Sequence, residues 1–200
     1  MIGLTSARDE ASRVLAAWLR GPRAPALTHS APAPLVLFLC RSNTALSIMA
    51  EAMLRHLARE RVRAASAGDS PGARVDPYAI ECLRQRGVAT TGLRSKGCDA
   101  FLGAYRPPIR FLITLGEVGR ATANWDRDRL RPTKAHWGMP DPTAVVGGEI
   151  DVRAGFEAAF ATLDVRIRKF LALPLELLNG RALAQELERI GQAYYDHPQK

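Results

Sequence analysis

Leu35-Val-Leu-Phe-Leu-Cys40-Arg-Ser-Asn-Thr-Ala-Leu46-Ser-Ile-Met-Ala50 is the stretch around which the remaining sequence arranges itself. Leu35 to Leu39 form an unbroken apolar run, short enough for a strand buried on both faces. Ser42, Asn43, Thr44 and Ser47 are small polar residues that turn and cap. Ile48, Met49, Ala52, Met53, Leu54 and Leu57 then recur at helical spacing. The pattern predicts strand, tight loop and helix, with Cys40 at the C-terminal edge of the strand. Backbone N–H groups converge in such a loop, and the helix dipole adds positive potential, so the loop suits an oxyanion.

Outward from this stretch, the composition bounds the rest. Two hundred residues with an apolar fraction of 47% suit one domain with appendages. No apolar run is long enough to cross a bilayer. Residues 1–20 carry Arg8, Asp9, Glu10, Arg13 and Arg20, which does not fit a signal peptide, and a cytoplasmic protein without a membrane partner is expected. Cys40, Cys82 and Cys98 form neither a disulfide framework nor a zinc motif, so a reducing compartment and no bound metal or cofactor are expected. The net charge of +8 comes from arginine spread along the chain, with no lysine-rich tail or basic stripe. That argues for attraction of small anions and against a nucleic-acid partner.

Residues 5–20 read as an amphipathic helix with Ala11, Val14, Leu15, Trp18 and Leu19 on one face. Pro22, Pro25, Pro32 and Pro34 make the following segment an extended linker. Residues 1–34 are therefore an N-terminal helix and Pro/Ala-rich linker, residues 35–192 the domain, and residues 193–200 a tail. The helix either docks on its own domain or meets a partner, including a second copy of the chain. Within the domain, further strands are expected at Val62–Ala67, Phe111–Leu115 and Lys134–Trp137. Helices are expected from Pro77 to Arg86, capped by Asp76 and stopped by Gly87, at Glu117–Asn124, over 151–173 and from Arg181 to Ile190, with a short one at Cys98–Leu102. Cys82, beside Ile80 and Leu83, reads as a core thiol. Strands alternating with helices imply an α/β fold: a four-stranded parallel sheet flanked by helices on both faces, plus the N-terminal helix. Ligands then bind beyond the C-terminal strand ends, where Cys40 and Asp141 both fall.

Val36-Leu-Phe-Leu-Cys40, Asn43, Ser47, Met49-Ala50-Glu51, Ser66-Ala67-Gly68 and His136-Trp137-Gly138-Met139-Pro140-Asp141-Pro142 resemble the low-molecular-weight protein tyrosine phosphatase superfamily. The resemblance is to the branch of bacterial arsenate reductases built on that fold, to which Leu93-Arg94-Ser95-Lys96 and Phe170-Leu171-Ala172-Leu173-Pro174-Leu175 are also similar. It covers about residues 35 to 190. It implies Cys40 as thiolate nucleophile toward a phosphate ester or arsenate, and a loop of Arg41, Ser42, Asn43, Thr44, Ala45 and Leu46 wrapping the oxyanion. It further implies Asn43 as the brace of that loop, Ser47 as hydrogen-bond partner of the thiolate, and Asp141 as the acid that protonates the leaving oxygen.

Three departures accompany the resemblance. The family's loop ends in an arginine that forks onto the oxyanion; here that position is Leu46, so the phosphate loop is degenerate. Arg41 directly follows the nucleophile, a poor position for the same fork. Thioredoxin-coupled arsenate reductases of this fold carry resolving cysteines within the loop and after the third strand; Ala45 and Leu115-Gly116-Glu117 stand there instead. Cys98 is the candidate resolving thiol, with a core position as the alternative, and an external thiol reductant or thiol-redox partner is the other route. Finally, Thr143 and Ala144 follow Asp141-Pro142 where tyrosine phosphatases place aromatics, which favours a small oxyanion over a phosphotyrosyl protein. Two functions from different classes follow: an arsenate reductase-like or phosphatase-like enzyme impaired at Leu46, or a pseudoenzyme that binds an anion or partner without turnover.

Overall fold

A computed structural model describes residues 32–101, 108–116, 132–175, 178 and 180–192. The expected helix over 5–20, nearly all of the linker, the helix over 117–124 and the tail lie outside the described residues. Four strands, β1 (Leu35–Cys40), β2 (Arg63–Gly68), β3 (Ile109–Leu115) and β4 (Thr133–Trp137), form one sheet in the order β2-β1-β3-β4. Every pairing is parallel, with Cys40 opposite Gly68 and Leu115 opposite Trp137. The strand order reverses between β1 and β3, and at such a reversal the adjoining loops diverge and leave a crevice at the C-terminal edge. Cys40 ends β1 on that edge.

The α-helices are α1 (Leu46–Ala58), α2 (Pro77–Gln85), α3 (Glu149–Ala172) and α4 (Gly180–Gln192). Pro77 and Asp76 start α2 as expected, with Asp76 Oδ1 accepting from the Tyr78 amide at 2.8 Å. Gly87, at φ 71°, follows its end in the left-handed region that glycine adopts without strain. The short helix expected at Cys98–Leu102 is a 3-10 turn over Cys98–Phe101.

Alternation along β1 divides the core. Val36, Phe38 and Cys40 face a large cluster built with Met49, Met53, Leu83, Phe156, Leu163, Phe170 and Leu187, residues drawn from all four α-helices. Leu35, Leu37 and Leu39 face a smaller cluster with Ala67, Cys98, Phe101 and Leu112. Among the described residues, therefore, the α-helices cover one face and the 3-10 turn the other. No described helix is long and apolar enough to cross a membrane.

Candidate active site

The loop from Arg41 to Ala45 joins the end of β1 to α1, and four of its five carbonyls are held in backbone hydrogen bonds. Arg41 O accepts from the Ser70 amide (3.0 Å), Ser42 O from the Gly72 amide (2.8 Å), Thr44 O from the Asp76 amide (2.9 Å), and Ala45 O from the Met49 amide in the first helical turn (2.8 Å). In a planar trans peptide the following N–H points the opposite way. The amides of Ser42, Asn43, Ala45 and Leu46 are thereby directed to the inner side of the loop. The Asn43 amide shows which side that is, since it donates to Cys40 Sγ at 3.2 Å. Cys40 thus sits at the focus of a backbone cradle that opens onto the N-terminus of α1.

A buried polar network holds the cradle from below. Asn43 has φ 50°, a left-handed conformation that asparagine tolerates better than most residues. Its Nδ2 donates to Ser47 Oγ and Ser66 Oγ, both at 2.8 Å, and its Oδ1 accepts from the Lys96 amide at 2.8 Å. Ser47 Oγ lies 2.9 Å from Cys40 Sγ. Ser66 Oγ donates in turn to Glu51 Oε2, and Lys96 Nζ meets that same oxygen at 3.0 Å, while Arg55 pairs with Glu51 Oε1. Asn43, Ser47 and Ser66 are fully buried and Glu51 nearly so. A buried carboxylate needs such partners to remain charged, and Lys96 and Arg55 supply them.

Space limits are as strict as the bonding. A Cβ on Gly68 would lie 2.7 Å from Arg41 O and 2.9 Å from Asn43 N, so the end of β2 accepts only glycine against the cradle.

Asp141 is held differently. It is exposed, in the loop between β4 and a 3-10 turn (Pro142–Ala144), and its Oδ1 accepts from Thr143 N at 2.9 Å and Thr143 Oγ1 at 2.8 Å. Neither bond engages Oδ2. Met139 and Pro142, on either side, are buried.

The three thiols occupy different environments. Cys98 Sγ donates to Gly68 O at 3.2 Å and belongs to the small cluster, on the opposite face of the sheet from Cys40. Burial, then Asp69 and Asp99, push its thiol up to about 11. Cys82 is buried under α3, its Sγ 3.7 Å from Phe156 O, and burial with Glu157 pushes it up to about 12. Both are therefore protonated near neutral pH.

With this geometry in view, comparison with known proteins is informative. The family described as low molecular weight phosphotyrosine protein phosphatase matches residues 35–106, which run from β1 through the cradle to the Cys98 turn. The fold is that of the low-molecular-weight phosphatases. Solved structures match a larger share of the chain. An arsenate reductase in the phosphate-binding state aligns with TM-score 0.55 at 23% identity, over 70% of this chain and 97% of that one. The arsenate reductase of Archaeoglobus fulgidus aligns with TM-score 0.53 at 23% identity, over 69% and 99%. The tyrosine phosphatase Wzb from Escherichia coli K30, in complex with sulphate, aligns with TM-score 0.51 at 17% identity, over 68% and 95%. No curated protein sequence matches the chain.

Within this phosphatase fold, Leu46 corrects one expectation. It is the first residue of α1 rather than a loop residue, and its side chain is 2% exposed in the large cluster. Its Cδ1 lies near Gly116, 3.3 Å from where a Cβ would stand there. An apolar side chain at the rim is drawn into the core, away from the polar cradle. Ser47 likewise serves no cap: Ala45, the N-cap of α1, offers no side-chain cap bond, and the Ser47 hydroxyl turns to the thiol.

Ser66, Glu51 and Lys96 enter the site without having been singled out as site residues from the sequence. Glu51 carried a signal: a carboxylate between Ala50 and Ala52, in a helix whose neighbouring positions are apolar, requires buried partners. Which partners it finds depends on β2 and the Arg94–Lys96 segment meeting at the sheet edge.

Proposed function

We propose that the protein acts on a small tetrahedral oxyanion, arsenate or a phosphate monoester, through Cys40. The observation supporting this reading is the Asn43 amide on Cys40 Sγ at 3.2 Å, in a loop whose bonded carbonyls turn the following N–H groups the same way, with Ser47 Oγ 2.9 Å from the sulfur. The Cys40 thiolate would attack phosphorus, the P–O bond to the leaving group would break, and Asp141 would protonate the departing oxygen. Asp141 would then take a proton from water, which attacks the phosphocysteine, releasing phosphate and the thiolate. With arsenate, loss of water would leave a Cys40–arsenic bond. A thiol from solution would attack the Cys40 sulfur, the bonding pair would pass to arsenic, arsenite would leave, and a second thiol would reduce the mixed disulfide.

The external thiol is favoured because Cys98 is protonated, bonded to Gly68 O and set on the other face of the sheet. Three free cysteines fit a reducing cytoplasm. Residues 5–20 would supply the surface for a partner or for self-association.

Leu46 supports a second reading, a pseudoenzyme that holds an anion without turnover. The position that would present the guanidinium fork is occupied by a buried leucine. Loss of such a group costs roughly 10²–10⁵ in rate. Aryl phosphate hydrolysis and thiol-dependent arsenate reduction by wild type, Cys40→Ser and Leu46→Arg separate the two. Turnover in wild type and none in Cys40→Ser supports the enzyme. Activity in Leu46→Arg alone supports an intact cradle that has lost its catalytic cation. Silence in all three, with phosphate still bound, leaves the binding reading.

A further inference from the structure

Arg166 on α3 is 1% exposed, and its guanidinium is spent on backbone carbonyls at the site edge of the sheet. Nη1 donates to Trp137 O at 3.1 Å, and Nη2 donates to Gly138 O at 2.9 Å and to Gly191 O at 2.6 Å. Trp137 ends β4, and Gly138 opens the segment that leads to Asp141. The same helix holds the far side of that segment: a Cβ on Gly155 would fall 2.7 Å from Val145 Cγ2 and 3.9 Å from Pro142 Cα. Gly155 and Arg166 are eleven residues apart, about 16 Å along the helix axis, so α3 fixes the Asp141 loop at both ends.

The third carbonyl brings in α4. Gly191 has no side chain because a Cβ there would collide with His136 O, so the end of α4 lies directly on β4. Trp137 Nε1 donates to Leu187 O at 3.0 Å, and the His136 amide donates to Glu188 Oε1 at 3.1 Å. Arg166 therefore joins three pieces, the end of β4, the start of the acid loop and the last turn of α4, through a single planar group. A guanidinium spans such divergent acceptors because its five N–H donors have fixed directions; a lysine ammonium on the same stem is a point donor.

We propose that Arg166 is a positioning residue for Asp141: by holding the Trp137 and Gly138 carbonyls it sets where the acid loop leaves the sheet, and it makes that placement depend on α4. The proposal rests on Asp141 acting as proton donor, so its test reads both the loop and the chemistry. Arg166→Met removes the fork while keeping an unbranched side chain. In hydrogen–deuterium exchange, amides of residues 138–145 should exchange about tenfold faster or more, with peptides covering 36–50 unchanged.

In parallel, kcat/KM for an alkyl phosphate, whose leaving oxygen needs a proton, should fall about tenfold further than for an aryl phosphate with a good leaving group. A loss of folded fraction alone would lower both substrates equally. Arg166→Lys should be intermediate in both readouts, and it carries the comparison if Arg166→Met does not fold. Unchanged exchange over 138–145, equal loss on both substrates, or failure of both variants to fold would each overturn the positioning role. If wild type hydrolyses neither substrate, the phosphatase form of the enzymatic reading fails, and the exchange measurement alone decides whether Arg166 sets the loop.

Discussion

The loop after β1 and the loop after β4 leave the same edge of one parallel sheet, yet they are held by different means. The first is fixed through side chains. Asn43 makes three side-chain bonds, Ser47 and Ser66 are fully buried, and Gly68 permits contact that a methyl group would forbid. The second is fixed through its backbone. Among the described residues Asp141 bonds only within its own turn, and its position derives from Arg166 on the Trp137 and Gly138 carbonyls and from Met139 and Pro142 packed inward. The difference suits the two tasks. In the proposed function, a nucleophile and its cradle would have to be preorganised against water, whereas a proton donor would have to reach a leaving group that varies in size.

Kinetics should break this comparison first. Cys40→Ala should remove hydrolysis by roughly 10⁴ or more, whatever the leaving group. Asp141→Asn should cost roughly 10²–10⁴ on an alkyl phosphate and much less on an activated aryl phosphate. Equal losses for Asp141→Asn on both substrates, read from steady-state kcat/KM, would mean that the acid side is as structural as the cradle.

Stability should separate the two loops next. Asn43→Ala strips three hydrogen bonds, two of them fully buried, and leaves alanine at φ 50°, so a loss of about 3 kcal/mol in urea denaturation is expected, together with weaker phosphate binding. Thr143→Val, which deletes one partner of Asp141, should change stability by under about 1 kcal/mol. If the two variants cost the same, the stiff-cradle description does not hold.

Gly68→Ala tests packing without removing any polar group. The added methyl would press on Arg41 O and Asn43 N, and a cost of about 1–3 kcal/mol is expected, with phosphate affinity falling in isothermal titration. Unchanged affinity would show that the cradle can shift without losing its amides.

The smallest effect concerns the opposite face. The Cys98 thiol is raised from 9.0 to about 11, so folding favours its protonated form. Its stabilising share is complete below pH 9 and is lost as pH rises from 9 to 11. At pH 10 that share should be about 1 kcal/mol lower than at pH 7, and Cys98→Ala should remove this part of the pH dependence. A wild type and Cys98→Ala pair with identical pH profiles would mean that Cys98 is exposed to solvent after all.

Much of this arrangement was legible in the residues. Leu35–Leu39 read as a buried strand, Asp76-Pro77 started a helix where expected, and Cys40 with Ser47 stood close enough in the chain to meet. These depend on local periodicity and short separations, which sequence reports well. Leu46 was legible as a missing arginine, but not as a core side chain beside Gly116, because that depends on where β3 ends. The partnership of Glu51 with Ser66 and Lys96 joins segments 15 and 45 residues apart, and the burial of Arg166 depends on β4 and α4 closing over it.

By itself, then, the chain determined the strand–loop–helix unit, the cysteine at its turn, the acid loop four residues beyond β4 and the absence of the loop arginine, since each is written in adjacent or periodic residues. Only the tertiary structure decided which buried charges neutralise one another, which face each cysteine takes and what holds Asp141 in place. Those outcomes depend on desolvation, and a group's solvent exposure exists only once distant segments have packed around it.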